Sequence, residues 1–234
     1  MMKLLPILLI GLFAVLSVHF SAWRMERSLR AQSRPLKHDQ VDRMLDRLAA
    51  AAGIDRIELR LLRNDTVNGL ATPQGGIYLT SGLFRHYQSG RLSLEEIGSV
   101  VAHELGHLAL GHTKRRMLDV SVAQAGVVIL GGLLARLIPI VGWYLANLLT
   151  GLFVARLSQR DEFEADAYAT ALMLKAGYGA APQAAMLEKL EGLLPAGMTA
   201  QQSSWLASHP PVAERAAAIR ENAARWSGEA AQER

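Results

Sequence analysis

Two histidines four residues apart, with a glutamate between them, occur at His103-Glu104-Leu105-Gly106-His107. On a helix the pair projects from one face and can hold one metal ion. The intervening Glu104 lies close enough to take a proton from a metal-bound water. The neighbouring residues predict a helix there. Ser93-Leu94-Glu95-Glu96 reads as a capping box, and Ile97, Val100, Val101, Leu105 and Leu108 follow at helical spacing. The chemistry predicted is hydrolysis by zinc and water. A surface helix with two solvated histidines is the plainer reading, and the apolar, compact flank of Leu105 and Gly106 argues against it.

A catalytic zinc needs a third protein ligand and one open position. The stretch Ser158-Gln159-Arg160-Asp161-Glu162-Phe163-Glu164-Ala165-Asp166 supplies a candidate. Glu162 and Asp166 are four apart and share a helical face. Glu162 can then reach the metal while Asp166 accepts the ring N–H of a liganding histidine. Alone, this stretch would read as a solvated acidic face; with the first motif it completes a metal site. His112, five past His107, is turned off the ligand face and reads as structural or interfacial. His19, His38 and His86 have no partner motif and receive no site role.

The elements that must position these residues are mostly helical. Asp39 to Ala52 is an amphipathic helix closed by Gly53. Ile57, Leu59 and Leu61 alternate with polar residues as a strand does. Short extended pieces follow near Asn68 to Ala71 and Ile77 to Thr80, with Pro73-Gln74-Gly75-Gly76 as a hairpin loop. A small antiparallel sheet is therefore expected ahead of the metal helix. Pro182 opens a later helix, and a last one runs through Val212, Ala216, Ile219 and Ala223. The predicted class is α+β, mostly α-helical, of the zincin (gluzincin) kind, with a domain over residues 38–225 and a disordered tail over 226–234.

Half of the 234 residues are apolar. The excess sits from Leu4 to Val18 and from Val120 to Val154. The first run, continued to Trp23, is long enough for a membrane anchor over residues 1–23; a signal-like segment is the alternative, although no suitable cleavage site is visible. Arg24, Arg27, Arg30, Arg34 and Lys37 then make residues 24–37 a basic linker that suits anionic headgroups. Basic and aromatic residues are not interleaved, so no nucleic-acid partner is expected. The 120–154 stretch lacks a polar face. One tilted span, a shallow re-entrant hairpin or a pair of buried helices all remain open, with Arg136 and Pro139 at the tip of any hairpin, and part of it is expected in or on the bilayer. The net charge is +4 and there is no cysteine, which excludes disulfides, thiolate ligands and a cysteine nucleophile. The implied location is a bacterial inner membrane, with the catalytic domain on either the cytoplasmic or the periplasmic side.

With these residues in hand, residues 38–225 resemble the HtpX-like, CAAX prenyl endopeptidase-like and OMA-type zinc metallopeptidases. The resemblance rests on four motifs in order: Asn68-Gly69-Leu70-Ala71 with Ile77 to Leu83, His103 to His107, Ser158 to Asp166, and His209-Pro210 followed by Arg215. It implies one Zn2+ held by His103, His107 and Glu162, with Glu104 as base and Asp166 behind a ligand. Gly69 departs from the alanine usual at that place, and the 120–154 topology does not carry over. His209, in a loop stiffened by Pro210 and Pro211, and Arg215 are candidate donors to the oxyanion, with Tyr168 behind them. The resemblance places that loop over the metal, where His209 can also close the open position. Substrate is expected to add as a strand beside Asn68 and the Ile77, Tyr78, Leu79 edge. That suits unfolded or membrane-associated protein substrates and quality control. A non-proteolytic assembly factor on the same scaffold is the competing reading, and Glu104 argues against it.

Overall fold

The helix that carries His103 begins where Ser93 caps it. Ser93 Oγ accepts the Glu96 N–H, and the Glu96 carboxylate accepts the Ser93 N–H, so two otherwise orphaned donors are satisfied reciprocally. Lys189 pairs with the same Glu96 at 2.6 Å and ties in a second helix. In the computed structural model, which describes residues 19–138, 141–193 and 210–232, this helix runs from Leu94 to Ala109. In chain order the helices are α1 (residues 19–31), α2 (Asp39–Ala52), α3 (Ser81–Gln88), α4 (Leu94–Ala109), α5 (His112–Leu137), α6 (Val141–Lys175), α7 (Ala181–Leu190) and α8 (Val212–Gln232). The strands are β1 (Ser33–Pro35), β2 (Leu59–Leu62), β3 (Gly69–Ala71) and β4 (Ile77–Thr80).

The sheet is mixed, not antiparallel as expected. Its order is β1-β2-β4-β3, with β2 and β4 parallel and the two outer pairs antiparallel. Burial explains the order. All four residues of β4 are buried, whereas β3 is only half-buried throughout. The β3–β4 hairpin therefore docks on β2 through its second strand and leaves β3 at the rim. Gly75, at φ 92, makes the hairpin turn.

Residues 24–37, expected as a basic linker, are instead helical to residue 31 and then form β1. The reason is one carboxylate. Glu26 is buried and accepts from the Tyr78 hydroxyl at 2.9 Å and from Arg30 at 2.6 Å, which clamps α1 to the middle of the sheet. The predicted anchor lies mostly in residues 1–18, outside the described residues. At the other end, α8 continues to Gln232 where a disordered tail was expected from residue 226.

Helix α4 lies at the centre, against α6, α7, α2 and β3. Its face buries Ile97, Val101, Ala102 and Leu105 in a core shared with Val41, Met44 and Leu48 of α2 and Leu172 and Met173 of α6. Beyond the core, α5 and the first half of α6 form a hairpin of two antiparallel helices. Gly142 packs against the backbone of Leu134 and Ala135, and Gly131 lies under the Trp143 ring. The pair is not buried: Val122, Val128, Ile129, Tyr144 and Phe153 are each more than 60% exposed. Among the described residues, no helix is long and apolar enough to cross a membrane.

The α4–α6 crossing sets the distance between the two ligand-bearing helices. A Cβ at Gly106 would lie 3.0 Å from the Ala165 carbonyl oxygen and 3.1 Å from its Cα. Gly106→Val is therefore expected to separate the helices and to destabilise the fold by about 1–3 kcal/mol. It is also expected to weaken zinc binding. Thermal unfolding and metal titration of the purified variant check both; unchanged zinc affinity would show that the spacing is not set here.

Candidate metal centre

Three ligating side chains converge across the α4–α6 interface. His103 Nε2 and His107 Nε2 are 3.1 Å apart. Glu162 Oε2 is 3.3 Å from His103 Nε2, and Glu162 Oε1 is 3.5 Å from His107 Nε2. Around a zinc with four ligands at about 2.0–2.1 Å, neighbouring ligand atoms stand about 3.3 Å apart. The observed triangle has that size. His103, His107 and Glu162 thus come together as the sequence predicted, and they fit the ion.

Charge makes the same case. Glu104, Glu162 and Asp166 are all buried, against one buried cation, Arg215. With the histidines neutral, as metal ligands are, the ionised carboxylates and Arg215 leave two negative charges in excess, which a divalent cation neutralises. Arg116 approaches from the half-buried side, 3.5 Å from Glu162.

Each ligand is held from behind. His103 Nδ1 lies 3.0 Å from Asp166 Oδ1, so the ring donates there, and it is Nε2 that gives up its proton to bind an ion. Burial pushes His103 down, but the Asp166 and Glu162 carboxylates outweigh it and lift the ring to about 9. His107 behaves oppositely: burial, then the charge on His103, pushes it to about 3. Asp166 is in turn gripped by Arg215, whose Nε and Nη2 donate to its two oxygens at 2.6 and 2.8 Å. Burial raises the Asp166 carboxyl, yet these donors hold it below its ordinary value.

Arg215 was a candidate oxyanion donor. It is buried, with two of its nitrogens committed to Asp166. These bonds position Asp166 and so His103, while its Nη1 stands 3.6 Å from Glu162 Oε2 and the residue also lines the cavity beside Glu104. Tyr168 packs against the core with its Cβ beside Gly106. His209 lies outside the described residues.

Glu104 is outside the ligand triangle, as a base should be. Burial pushes its carboxyl up to about 7, with opposing contributions from the cations around it. Its side chain packs against Gly69 of β3: a Cβ there would meet Val100 at 2.7 Å and Glu104 at 3.3 Å. Glycine at this position is what lets the sheet rim close on the carboxylate.

The expected substrate edge needs correction. Ile77, Tyr78 and Leu79 are fully buried and paired on both sides, to β2 and to β3. The rim strand is β3, beginning next to Asn68, whose N–H donates to Thr80 Oγ1 at 3.0 Å. Beside it a cavity opens between His103 and Glu104 on one side and Val67, Leu83, Met186 and Leu190 on the other.

Sequence reasoning set His112 aside. Its ring is buried with Nδ1 3.1 Å from His107 Nδ1 and Nε2 3.1 Å from Glu164. The signal was Gly111. At φ 70 it breaks the helix, so His112 starts α5 and does not continue α4. His112 is thus structural, as its offset from the ligand face predicts, and the break at Gly111 is what aims it at His107.

A helix bearing two histidines and a glutamate, crossed by a helix that supplies a third ligand, defines a metallopeptidase-type site. The Peptidase family M48 profile matches residues 35–223, and the chain belongs to that family. It is 35% identical over 158 residues to "Metalloprotease LoiP" of Escherichia coli K12, covering 66% of this chain and 58% of that one. It is 31% identical over 169 residues to "Beta-barrel assembly-enhancing protease" of the same organism, covering 70% and 34%. The chain thus spans about half the length, or less, of these relatives. The fold is similar to that in the crystal structure of S. mikatae Ste24p, with a TM-score of 0.55 at 24% identity over 80% of this chain and 51% of that one.

Glu162→Ala is expected to strip the centre of zinc, because it removes one of three ligand atoms. Asp166→Asn is expected to cost about 10–100-fold in zinc affinity, because it loosens His103 without removing a ligand. Metal analysis and chelator competition on the two purified proteins check this. Zinc content equal to wild type in the Glu162 variant would refute the ligand assignment.

Proposed function

We propose that this chain is a zinc-dependent endopeptidase that hydrolyses unfolded or misassembled proteins at a membrane, one ion per chain. The observation that carries the reading is the triangle of His103, His107 and Glu162 with Glu104 beside it but outside it. When bound there, zinc supplies a Lewis acid and lowers the pKa of a coordinated water to about 7. His103, His107 and Glu162 would hold the ion. Glu104, with a carboxyl near 7, takes the proton at neutral pH and returns it to the leaving amine. A binding scaffold needs no such carboxylate, which disfavours an assembly factor without activity.

The substrate backbone adds to the rim of β3, next to Glu104, and so is read by main-chain hydrogen bonds more than by sequence. An apolar side chain from it suits the cavity walled by Val67, Leu83, Met186 and Leu190. Extended segments of this kind are exposed in unfolded chains and hidden in folded ones. The relative named for β-barrel assembly supports a quality-control role.

Membrane association is supported by the exposed apolar face of the α5–α6 hairpin and by Phe20 and Trp23, both at least half exposed at the start of α1. Arg27 lies over the Trp23 ring at 5.4 Å, an arrangement suited to an interface with anionic headgroups. The partner is the lipid bilayer, at a bacterial inner membrane.

Three outcomes follow. Glu104→Gln keeps its zinc and loses at least about 10²-fold of the rate on an unfolded protein such as casein; residual turnover within about tenfold of wild type would sink the assignment. Because burial raises the Glu104 carboxyl, the base is protonated below about 7. The kcat/KM profile is expected to fall as pH drops through that region, and a flat profile between pH 5 and 8 would count against Glu104. A chain lacking residues 1–18 is expected to float with liposomes still. A protein that stays wholly in the soluble fraction would show that the hairpin does not meet lipid.

A further inference from the structure

His103 and His107 are held by different chemistry. Behind His103 stands a carboxylate. Behind His107 stands a second imidazole, His112, buried to 1% of its surface. The His107 Nε2 faces the other two ligand atoms, so its ring proton sits on Nδ1. That proton points at His112 Nδ1, 3.1 Å away. His112 must then accept at Nδ1 and carry its own proton on Nε2. The acceptor for that proton is present: Glu164 Oε2, at 3.1 Å. Arg160 donates to the other Glu164 oxygen at 2.7 Å and fixes the far end.

We propose that His112, backed by Glu164, is a positioning residue for the metal centre: it holds the His107 ring in the tautomer and plane that present Nε2 to the ion. The assignment rests on the metal reading of His103, His107 and Glu162. A neutral partner suits this ligand. The centre already holds three buried carboxylates, Glu104, Glu162 and Asp166, and an imidazole orients His107 without placing a further charge against the ring. The competing possibility is that His112, Asp161 and Glu164, whose ligand atoms cluster within 4.8 Å, hold a metal of their own. Both carboxylates are instead engaged by guanidinium groups, Asp161 by Arg115 and Glu164 by Arg160. Those cations would repel a metal ion, so the cluster is read as support, not as a second centre.

The test is zinc affinity, measured by competition with a chromophoric chelator on the full chain, alongside thermal unfolding without metal. Wild type is measured first; failure to bind zinc there overturns the metal reading itself. His112→Phe keeps a ring and removes the acceptor, and is expected to weaken zinc binding about 10–100-fold. His112→Asn places an amide oxygen near the lost Nδ1 and is expected to restore most of that loss. Equal affinity in His112→Phe and wild type, or no recovery in His112→Asn with the same unfolding temperature, overturns the proposal. So does a stoichiometry of two zinc ions in wild type that falls to one in His112→Phe. Nitrogen NMR of the wild-type zinc form gives a readout that needs no variant. The proposal requires the Nδ1–H tautomer for His107 and the Nε2–H tautomer for His112, and the reverse pair overturns it.

Discussion

Everything at this site hangs on one buried ion pair, Arg215 with Asp166. Burying a carboxylate and a guanidinium costs several kcal/mol per ion unless geometry is good and the remaining donors are used. Here the pair is bidentate, and Asp166 accepts from His103 as well. The pair also joins three elements distant in sequence: α8 supplies the arginine, α6 the aspartate and α4 the histidine. The last helix of the chain thereby fixes the orientation of the first metal ligand. Asp166 has a further tie, since its carbonyl accepts from Gln183 and Thr170, which brings α7 into the same network. Removing Arg215 would leave an uncompensated carboxylate behind a ligand, a larger loss than any exposed ion pair represents.

How much of this could be read from the sequence depended on whether one helix carried the information. His103 and His107, and Glu162 and Asp166, are i,i+4 pairs, and helical geometry alone aligns them. The Ser93–Glu96 capping box is equally local, and both reciprocal bonds are present. The contact between the two pairs was legible as well, because a catalytic zinc requires a third ligand; where no such chemical requirement joined two elements, the sequence was silent. β1 is three residues of mixed polarity, and only its pairing with β2 makes it a strand. Glu26 looks like one more charge in a basic stretch until Tyr78, fifty-two positions later, meets it. The edge assigned to Ile77, Tyr78 and Leu79 failed for the same reason. Three apolar residues in a row, Ile77 to Leu79, predict burial, and burial is what places β4 in the middle of the sheet and leaves β3 as the rim.

His112 shows a different limit. Its offset from the ligand face marks it as structural and not a ligand, but a straight helix would also turn it away from His107. The glycine before it was the deciding feature. With φ at 70, Gly111 ends α4, and the chain reverses so that the first residue of α5 faces the last turn of α4. The break also sends α5 back along α6, where Arg115 and Arg116 reach Asp161 and Glu162. One left-handed residue thus gives His107 its partner and brings two cations to an acidic stretch.

The longest helix joins the two properties of the molecule. Helix α6 has 35 residues and spans about 50 Å. Its first half presents Tyr144, Leu148, Leu152 and Phe153 to the outside, and its second half carries Glu162 and Asp166. From Leu152 to Lys175 it contains no glycine and no proline. Sharp bends need such residues, a bulge or an inserted group, so this part of the helix has no built-in hinge. Leu152 and Phe153 therefore keep a fixed orientation relative to Glu162, while Tyr144 and Leu148 lie beyond Gly151.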